Sequence, residues 1–128
     1  MAKQPQFVEH VLEQMRNLGA VRARPFFGGW GIYWNDLIIA LIADDVLYFK
    51  ADDGNRSDFE ALNLEAFAYE AKGKRNTMSY FRAPDEVFDD DEAMTQWAQS
   101  ARAASERSAG KKVKTQNKIR VLDDGELR

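Results

Sequence analysis

The sequence contains no cysteine, a single histidine and only three prolines among its 128 residues. Without cysteine the chain forms no disulfide, has no thiol nucleophile and offers no thiolate ligand to a metal. His10 stands alone on the polar side of a helical pattern, where a surface role is the simplest interpretation, and no second histidine is present to act as a base. We therefore predict no catalytic residue, no metal site, no cofactor and no enzymatic activity.

Long apolar runs are also missing. The longest run, Leu37–Ala43, has the length of a strand, whereas a membrane-spanning helix needs roughly 18 apolar residues. The first ten residues, MAKQPQFVEH, show neither an apolar signal core nor a cleavage-site pattern. We therefore expect a cytoplasmic protein, and its length predicts one domain around one core.

Basic residues outnumber acidic ones only near the C-terminus. The net charge is −3, yet residues 108–128 hold six basic and three acidic groups, which leaves −6 for residues 1–107. An acidic body argues against a nucleic-acid-binding domain, which usually presents a basic face. We predict a domain over residues 1–107 and a basic, flexible tail over residues 108–128, the only segment suited by bulk charge to attract nucleic acid.

What the chain does contain is a dense apolar and aromatic stretch over residues 25–50. Its three short runs, at residues 30–34, 37–42 and 46–50, are separated by Asn and Asp pairs, which is typical of an antiparallel meander. Residues 21–27 precede the meander and predict an edge strand, because Pro25 cannot donate to a ladder.

Helical periodicity occurs before and after the predicted sheet strands in the sequence. One apolar stripe over residues 5–18 ends at Gly19, and a second follows the four acidic residues 89–92, which suit a helix N-terminus. Between them we predict a short helix over residues 56–62, strands over 66–71 and 78–82, and a basic turn over 72–76. The expected fold is α+β, with two layers: an antiparallel sheet of about five to six strands carrying helices, in the order helix, four strands, helix, two strands, helix.

Two segments are candidates for a contact surface. Gly28, Gly29 and Trp30 resemble a phosphate-binding loop in composition, but such a loop needs a helix directly after it, and a strand pattern follows here, so a tight hairpin is favoured. Lys72, Lys74 and Arg75 surround Gly73 and form the only dense basic patch of the acidic body. That patch is either a docking point for an anionic group or a solvated hairpin loop.

Other clusters have similar competing interpretations. Trp30, Tyr33 and Trp34 would suit base stacking, although an ordinary sheet core or a protein interface fits an acidic body better. The acidic segments 52–55 and 89–92 would suit a cation, although helix initiation explains both.

Several motifs resemble those of the TfoX (Sxy) N-terminal domain family. Residues 26–33, FFGGWGIY, resemble its M-F-G-G-[YW]-G-[IL]-Y signature, and residues 41–44 with 47–52 resemble its I-A-D … L-Y-[FL]-K-[AV]-D pattern. Residues 69–84, YEAKGKRNTMSYFRAP, resemble Y-x-x-K-G-K-x-x-x-M-[SP]-Y-[YF]-x-x-P. The likeness covers about residues 7–104 in order.

The resemblance implies a two-layer α+β domain and a connection to natural competence, the uptake of DNA by bacteria. Regulators of the family are thought to act as coactivators beside a cAMP-receptor-type transcription factor, and they carry a second, helical C-terminal domain, where this sequence has only a basic tail. The resemblance thus implies a non-enzymatic regulatory domain that contacts a protein of the transcription machinery. The alternatives are nucleic-acid binding through residues 108–128 and small-molecule binding in a pocket between sheet and helices.

Overall fold

The computed structural model describes residues 5–26 and 28–126, with side chains described as far as Gly110. It contains one six-stranded antiparallel sheet in the order β1-β2-β3-β4-β6-β5 and three α-helices. The strands are β1 (Val21–Phe26), β2 (Gly29–Trp34), β3 (Leu37–Ala43), β4 (Val46–Lys50), β5 (Ala66–Ala71) and β6 (Lys74–Arg82). The helices are α1 (Gln6–Gln14), α2 (Arg56–Glu60) and α3 (Asp91–Glu126), with 3₁₀ turns at Arg16–Leu18 and Asp85–Phe88. The predicted α+β class and element order are confirmed.

The meander forms because its Asn and Asp pairs adopt the backbone that two-residue hairpins require. Asn35, Asp36, Asp44 and Asp45 have φ values of 50°, 67°, 50° and 59°, in the left-handed region that these residues tolerate best after glycine. The predicted edge position of β1 is confirmed, and β3 lies inside the sheet with four consecutive buried residues. Phe27, the predicted last residue of β1, lies outside the described residues.

The β5–β6 hairpin is longer than the sequence indicated. Lys72 and Gly73 have φ values of 55° and 74° and make the whole turn, so β6 begins at Lys74, four residues before the predicted start. A two-residue turn places the next residues in register at once, and Lys74 accordingly pairs with Ala71 and Arg75 with Glu70. The predicted basic turn over residues 72–76 is therefore largely strand.

The helices differ from prediction mainly at their ends. The first helix stops at Gln14 and tightens into a 3₁₀ turn before Gly19, whose φ of 98° ends it as predicted. The backbone of α3 stays helical to Glu126, past residues 105–110, where the apolar pattern fades. Leu127 and Arg128 lie outside the described residues, and the division at residue 107 stays a prediction.

All three helices contribute to one core on one face of the sheet. Phe59 of α2 links the layers, since its ring stacks on Phe81 of β6 at 5.2 Å between centroids and contacts Trp97 of α3 at 5.0 Å. The fully buried side chains of the core include Val8, Val11, Met15, Ile32, Ile39, Leu47, Phe49, Phe59, Val87 and Met94. Within the described part of the chain, no helix has the length and apolar character needed to cross a bilayer.

Candidate functional site

The glycine-rich turn between β1 and β2 is built by close backbone packing. Gly28 has a φ of 77°, and a Cβ on Gly29 would collide with the carbonyl oxygen of Ile42 in β3. Trp30 is half-buried and packs against the core. A strand follows the glycines directly, so this segment has the geometry of a tight hairpin and lacks the helix N-terminus that a phosphate loop uses.

The basic residues Lys72, Lys74 and Arg75 lie exposed at the tip of the β5–β6 hairpin. Only residues 80–82 of β6 pair with β4, so the hairpin extends beyond that strand by about six residues, or about 20 Å. The patch therefore sits on a projecting element.

The structure does not bring the two predicted contact segments together. Because neighbouring strands run antiparallel, the β1–β2 turn lies at one end of the sheet and the β5–β6 turn at the other. Between β2 and β6 there are also three strand spacings, about 14 Å. Gly28, Gly29 and Trp30 thus form one candidate surface, and Lys72, Lys74 and Arg75 form a separate one.

The aromatic residues of β2, for which base stacking was the less favoured interpretation, are likewise divided. Trp30 and Trp34 pack on the core side of β2, whereas Tyr33 points to the opposite face, under the guanidinium of Arg24 at 5.0 Å from its ring centroid. Arg102 covers the Trp34 ring at 5.0 Å and donates a hydrogen bond of 3.0 Å to its carbonyl oxygen. The two tryptophans therefore serve the core, as the alternative interpretation held.

Helix α2 follows the segment 52–55 as predicted, although the Asn55 side chain makes no capping hydrogen bond to it, and the segment also anchors α3. The Asp52 carboxylate accepts hydrogen bonds from Nε and NH2 of Arg107 at 2.6 and 2.7 Å, and one from the Gly54 amide at 2.9 Å. The bonds from Arg107 lower the pKa of Asp52 to about 2, against the opposing effect of burial. We call this arrangement, with Asn55 and Ser100, the polar latch.

Asn55 completes the polar latch from a buried position. Its Oδ1 accepts a hydrogen bond from the Asp52 amide at 2.8 Å, and its Nδ2 donates to the Lys50 carbonyl at 3.2 Å and to Ser100 Oγ at 3.1 Å. The latch joins the end of β4 to α3. Sequence reasoning missed it because Arg107 lies 55 residues from Asp52, and no local pattern pairs the two.

The acidic segment 89–92 and His10 both make contacts within the fold. Asp90 accepts a hydrogen bond from the Glu92 amide at 2.9 Å, so the acidic segment 89–92 initiates α3 as predicted. His10 is exposed and stacks on Phe88 at 6.0 Å. Across the described residues, no group of three or more histidine and carboxylate side chains is arranged to hold a metal ion.

Two surface grooves lie beside α2. One, of about 480 Å³, is lined by residues 62–65 and 82–86, and another, of about 390 Å³, lies between α2 and α3 beside Trp97 and the half-exposed Leu62. Phe49, Phe59 and Ile39 are fully buried between the sheet and the helices. This is the region in which the small-molecule alternative placed its pocket.

A feature that sequence reasoning missed is the face of the sheet turned away from the helices, which we call the open sheet face. Alternation and register place there a set of aromatic and basic side chains, with the apolar Ile38, Leu41 and Met78 among them: Arg22, Arg24, Phe26, Tyr33, Tyr48, Lys50, Phe67, Tyr69, Lys74, Tyr80 and Arg82. All four tyrosines of the sequence are among them. The signal was present as alternation within single strands, but joining the strands required the sheet order.

Contacts across the open sheet face are specific. Tyr48 meets Phe67 edge-on at 4.9 Å, and Phe67 stacks on Tyr69 at 6.2 Å. The Lys50 ammonium lies 5.1 Å from the centre of the Tyr80 ring. Burial among these neighbours raises the pKa of Tyr80 to about 12.

Comparison with known proteins agrees with the motifs at residues 26–33 and 69–84. The family model described as the TfoX N-terminal domain matches residues 13–105. The chain belongs to the TfoX N-terminal domain family. This match includes the whole sheet and the packed part of α3, so the resemblance first seen in residues 26–33 and 69–84 is confirmed.

A curated relative of this TfoX N-terminal domain is the DNA transformation protein TfoX1 of Aliivibrio fischeri. The two are 30% identical over 73 residues, which cover 57% of this chain. They cover only 35% of the relative, so the aligned part spans about a third of that protein's length.

Proposed function

We propose that this TfoX N-terminal domain is a non-enzymatic, cytoplasmic regulatory module that supports expression of bacterial competence genes through contacts with a protein of the transcription machinery. The observation that carries the proposal is the family match over residues 13–105, together with a relative named for DNA transformation. Because the match covers the whole sheet, α2 and the packed part of α3, the shared element is the domain itself.

The projecting β5–β6 hairpin is the best supported contact element. Its tip carries three exposed basic side chains, Lys72, Lys74 and Arg75, on a body whose net charge is negative. β5 is also an edge strand, and an edge strand leaves backbone groups available for pairing with a partner. The hairpin therefore offers charge and backbone hydrogen bonds to an acidic protein segment.

A pull-down from native bacterial lysate, with nuclease, tests the proposal. The bait is the full chain, and the test variant is Lys72→Ala, Lys74→Ala, Arg75→Ala. A matched control, Lys111→Ala, Lys112→Ala, Lys114→Ala, removes the same charge from residues 108–128. We expect a protein of the transcription machinery that survives nuclease, is lost with the hairpin variant and is retained by the control.

Other outcomes would favour the alternative functions. Recovery of nucleic acid alone, lost only in the control variant, would replace this proposal with binding through residues 108–128. Recovery of no partner would direct attention to the grooves beside α2, where a bound small molecule would raise the melting temperature.

A further inference from the structure

The charges of this domain are segregated between its two layers. The six strands contain six lysine and arginine residues and one acidic residue, Glu70, although residues 1–107 together carry −6. The acidic groups lie in the helices and turns. A body that is acidic in total thus has a sheet that is basic.

Within that sheet, the open sheet face combines cations with aromatic rings. Its strand positions carry Arg22, Arg24, Lys50, Lys74 and Arg82 and no acidic residue. Asp36, in the β2–β3 turn, borders the face and pairs with Arg22 at 2.6 Å and with Arg24 at 3.5 Å. The arginines of β1 remain half-exposed, with 62% and 50% of their side chains accessible.

Three of the rings form a row that crosses β6: Tyr48 on β4 contacts Phe67 on β5, and Phe67 stacks on Tyr69. Tyr33 lies apart on β2, beneath the guanidinium of Arg24. Tyr48 and Phe67 are half-buried, and Tyr69 at the edge is 41% exposed. Packing on their neighbours fixes the rings in place, so little conformational entropy is lost when a flat ligand stacks on them.

We propose that the open sheet face binds a single-stranded nucleic acid, with bases stacked on Tyr48 and Phe67 and phosphates held by Arg24, Lys50 and Arg82. Rows of aromatic side chains bordered by cations bind unpaired strands in this way, because every base offers a flat ring and every linkage a negative charge. A duplex fits less well, since its bases are already stacked. This inference does not depend on the proposed contact with a protein.

Charge decides against a second copy of the chain as the occupant. Two open sheet faces in contact would oppose five cations with five cations and have no strand carboxylate between them. An acidic peptide would satisfy the cations but would leave the row of rings without flat partners.

Fluorescence anisotropy of labelled 20-nucleotide oligothymidylate and oligouridylate with the full chain tests the inference at 50 and 200 mM salt. The charge variant is Arg24→Gln, Lys50→Gln, and the ring variant is Tyr48→Leu, Phe67→Leu. We expect micromolar binding of one or both oligonucleotides that weakens as salt rises, and at least a roughly fivefold loss in each variant. The two oligonucleotides distinguish DNA from RNA as the ligand.

Two controls separate this surface from the rest of the molecule. The variant Arg16→Gln, Arg56→Gln removes the same charge from the helical side, and Lys111→Gln, Lys112→Gln, Lys114→Gln removes charge from residues 108–128; each should change affinity less than twofold. Melting temperatures and circular dichroism identify any variant that is unfolded, and the charge variant keeps every aromatic side chain in place.

Three results would overturn the inference. One is no binding at 50 mM salt, and another is loss confined to the variant of residues 108–128. The third is a pair of results: the ring variant is folded and binds the oligonucleotide with unchanged affinity, and polyglutamate displaces the labelled oligonucleotide as well as unlabelled oligonucleotide does. That pair would indicate an acidic peptide as the occupant.

Discussion

At the scale of single residues, the polar latch holds the C-terminal part of the packed helix to the sheet. The Asp52 carboxylate is largely enclosed, with 15% of its side chain accessible, whereas Arg107 is 47% accessible. Solvent around Arg107 weakens the ion pair. The pair therefore contributes less to the free energy of unfolding than the lowered pKa of Asp52 alone implies. Its two short hydrogen bonds nevertheless fix one geometry.

We predict that Arg107→Gln lowers the free energy of unfolding by about 1 kcal/mol at pH 7. The pKa of Asp52 is lowered from 3.8 to about 2 in the folded protein. A lowered carboxyl pKa stabilises the fold above the unfolded value and loses that effect as the pH falls. The difference between parent and variant should therefore be constant above about pH 5 and shrink between pH 4 and pH 2.

Urea unfolding at pH 7, 4 and 2.5 measures this difference. Arg56→Gln is the matched control, because Arg56 pairs with Asp53 at 3.3 Å between two exposed side chains. Its effect should stay within about 0.5 kcal/mol. An equal loss in both variants, or a loss independent of pH, would contradict the role given to Asp52.

Gly29 is a second residue with a defined structural requirement. Because a Cβ there would meet the Ile42 carbonyl oxygen, we predict that Gly29→Ala costs about 1–3 kcal/mol in stability. Gly110→Ala is the opposite control, since a Cβ at that helical position meets nothing within 4 Å, and alanine favours a helix by up to about 1 kcal/mol. Thermal unfolding of both variants is the measurement, and a neutral Gly29→Ala would contradict the close packing of β2 on β3.

At the scale of elements, α3 has a buried part and a part beyond it. Ala98, Ala101 and Ala104 are fully buried, and Arg107 closes the polar latch one turn later. We therefore predict that a chain ending at Gly110 melts within a few degrees of the full chain. In contrast, Ala101→Leu should lower the melting temperature, because overpacking a filled core costs about 1–3 kcal/mol.

Circular dichroism at 222 nm, followed through thermal unfolding, measures both changes. A loss of more than about 10 °C on truncation would correspond to more than about 2 kcal/mol on a domain of this size. It would place residues 111–128 inside the cooperative unit and contradict the predicted division of the chain.

The elements themselves were predictable where the controlling signals are local. The Asn and Asp pairs at 35–36 and 44–45 determine the meander turns, and alternation separates Leu47 and Phe49 from Tyr48. Non-local pairing was not predictable: β6 lies between β4 and β5, and this order brings Phe67 against Tyr48. Gly28 and Lys72 were correctly placed in turns, although Trp30, Lys74 and Arg75 lie in strands. The distance between the two turns became clear only from the sheet.

At the scale of the whole molecule, charge is divided between two sides: the helical layer is acidic, and the open sheet face is basic and aromatic. Mutual repulsion between open sheet faces predicts a monomer in solution at 50 mM salt. Screening at 500 mM salt, where the Debye length falls to roughly 4 Å, should permit weak association through the aromatic row. The charge variant Arg24→Gln, Lys50→Gln should associate already at low salt.

Sedimentation equilibrium at about 100 µM protein measures this prediction, and Arg16→Gln, Arg56→Gln again serves as the control with charge removed from the other layer. If association buries the open sheet face, oligothymidylate should shift the charge variant back to the monomer, because dimer and nucleic acid compete for the same rings. A dimer that forms at low salt and dissociates at high salt would require a charge-complementary interface. Such an interface would have to join the acidic helical layer of one copy to the basic sheet of another, and repeating that contact would favour open chains of molecules over a closed pair.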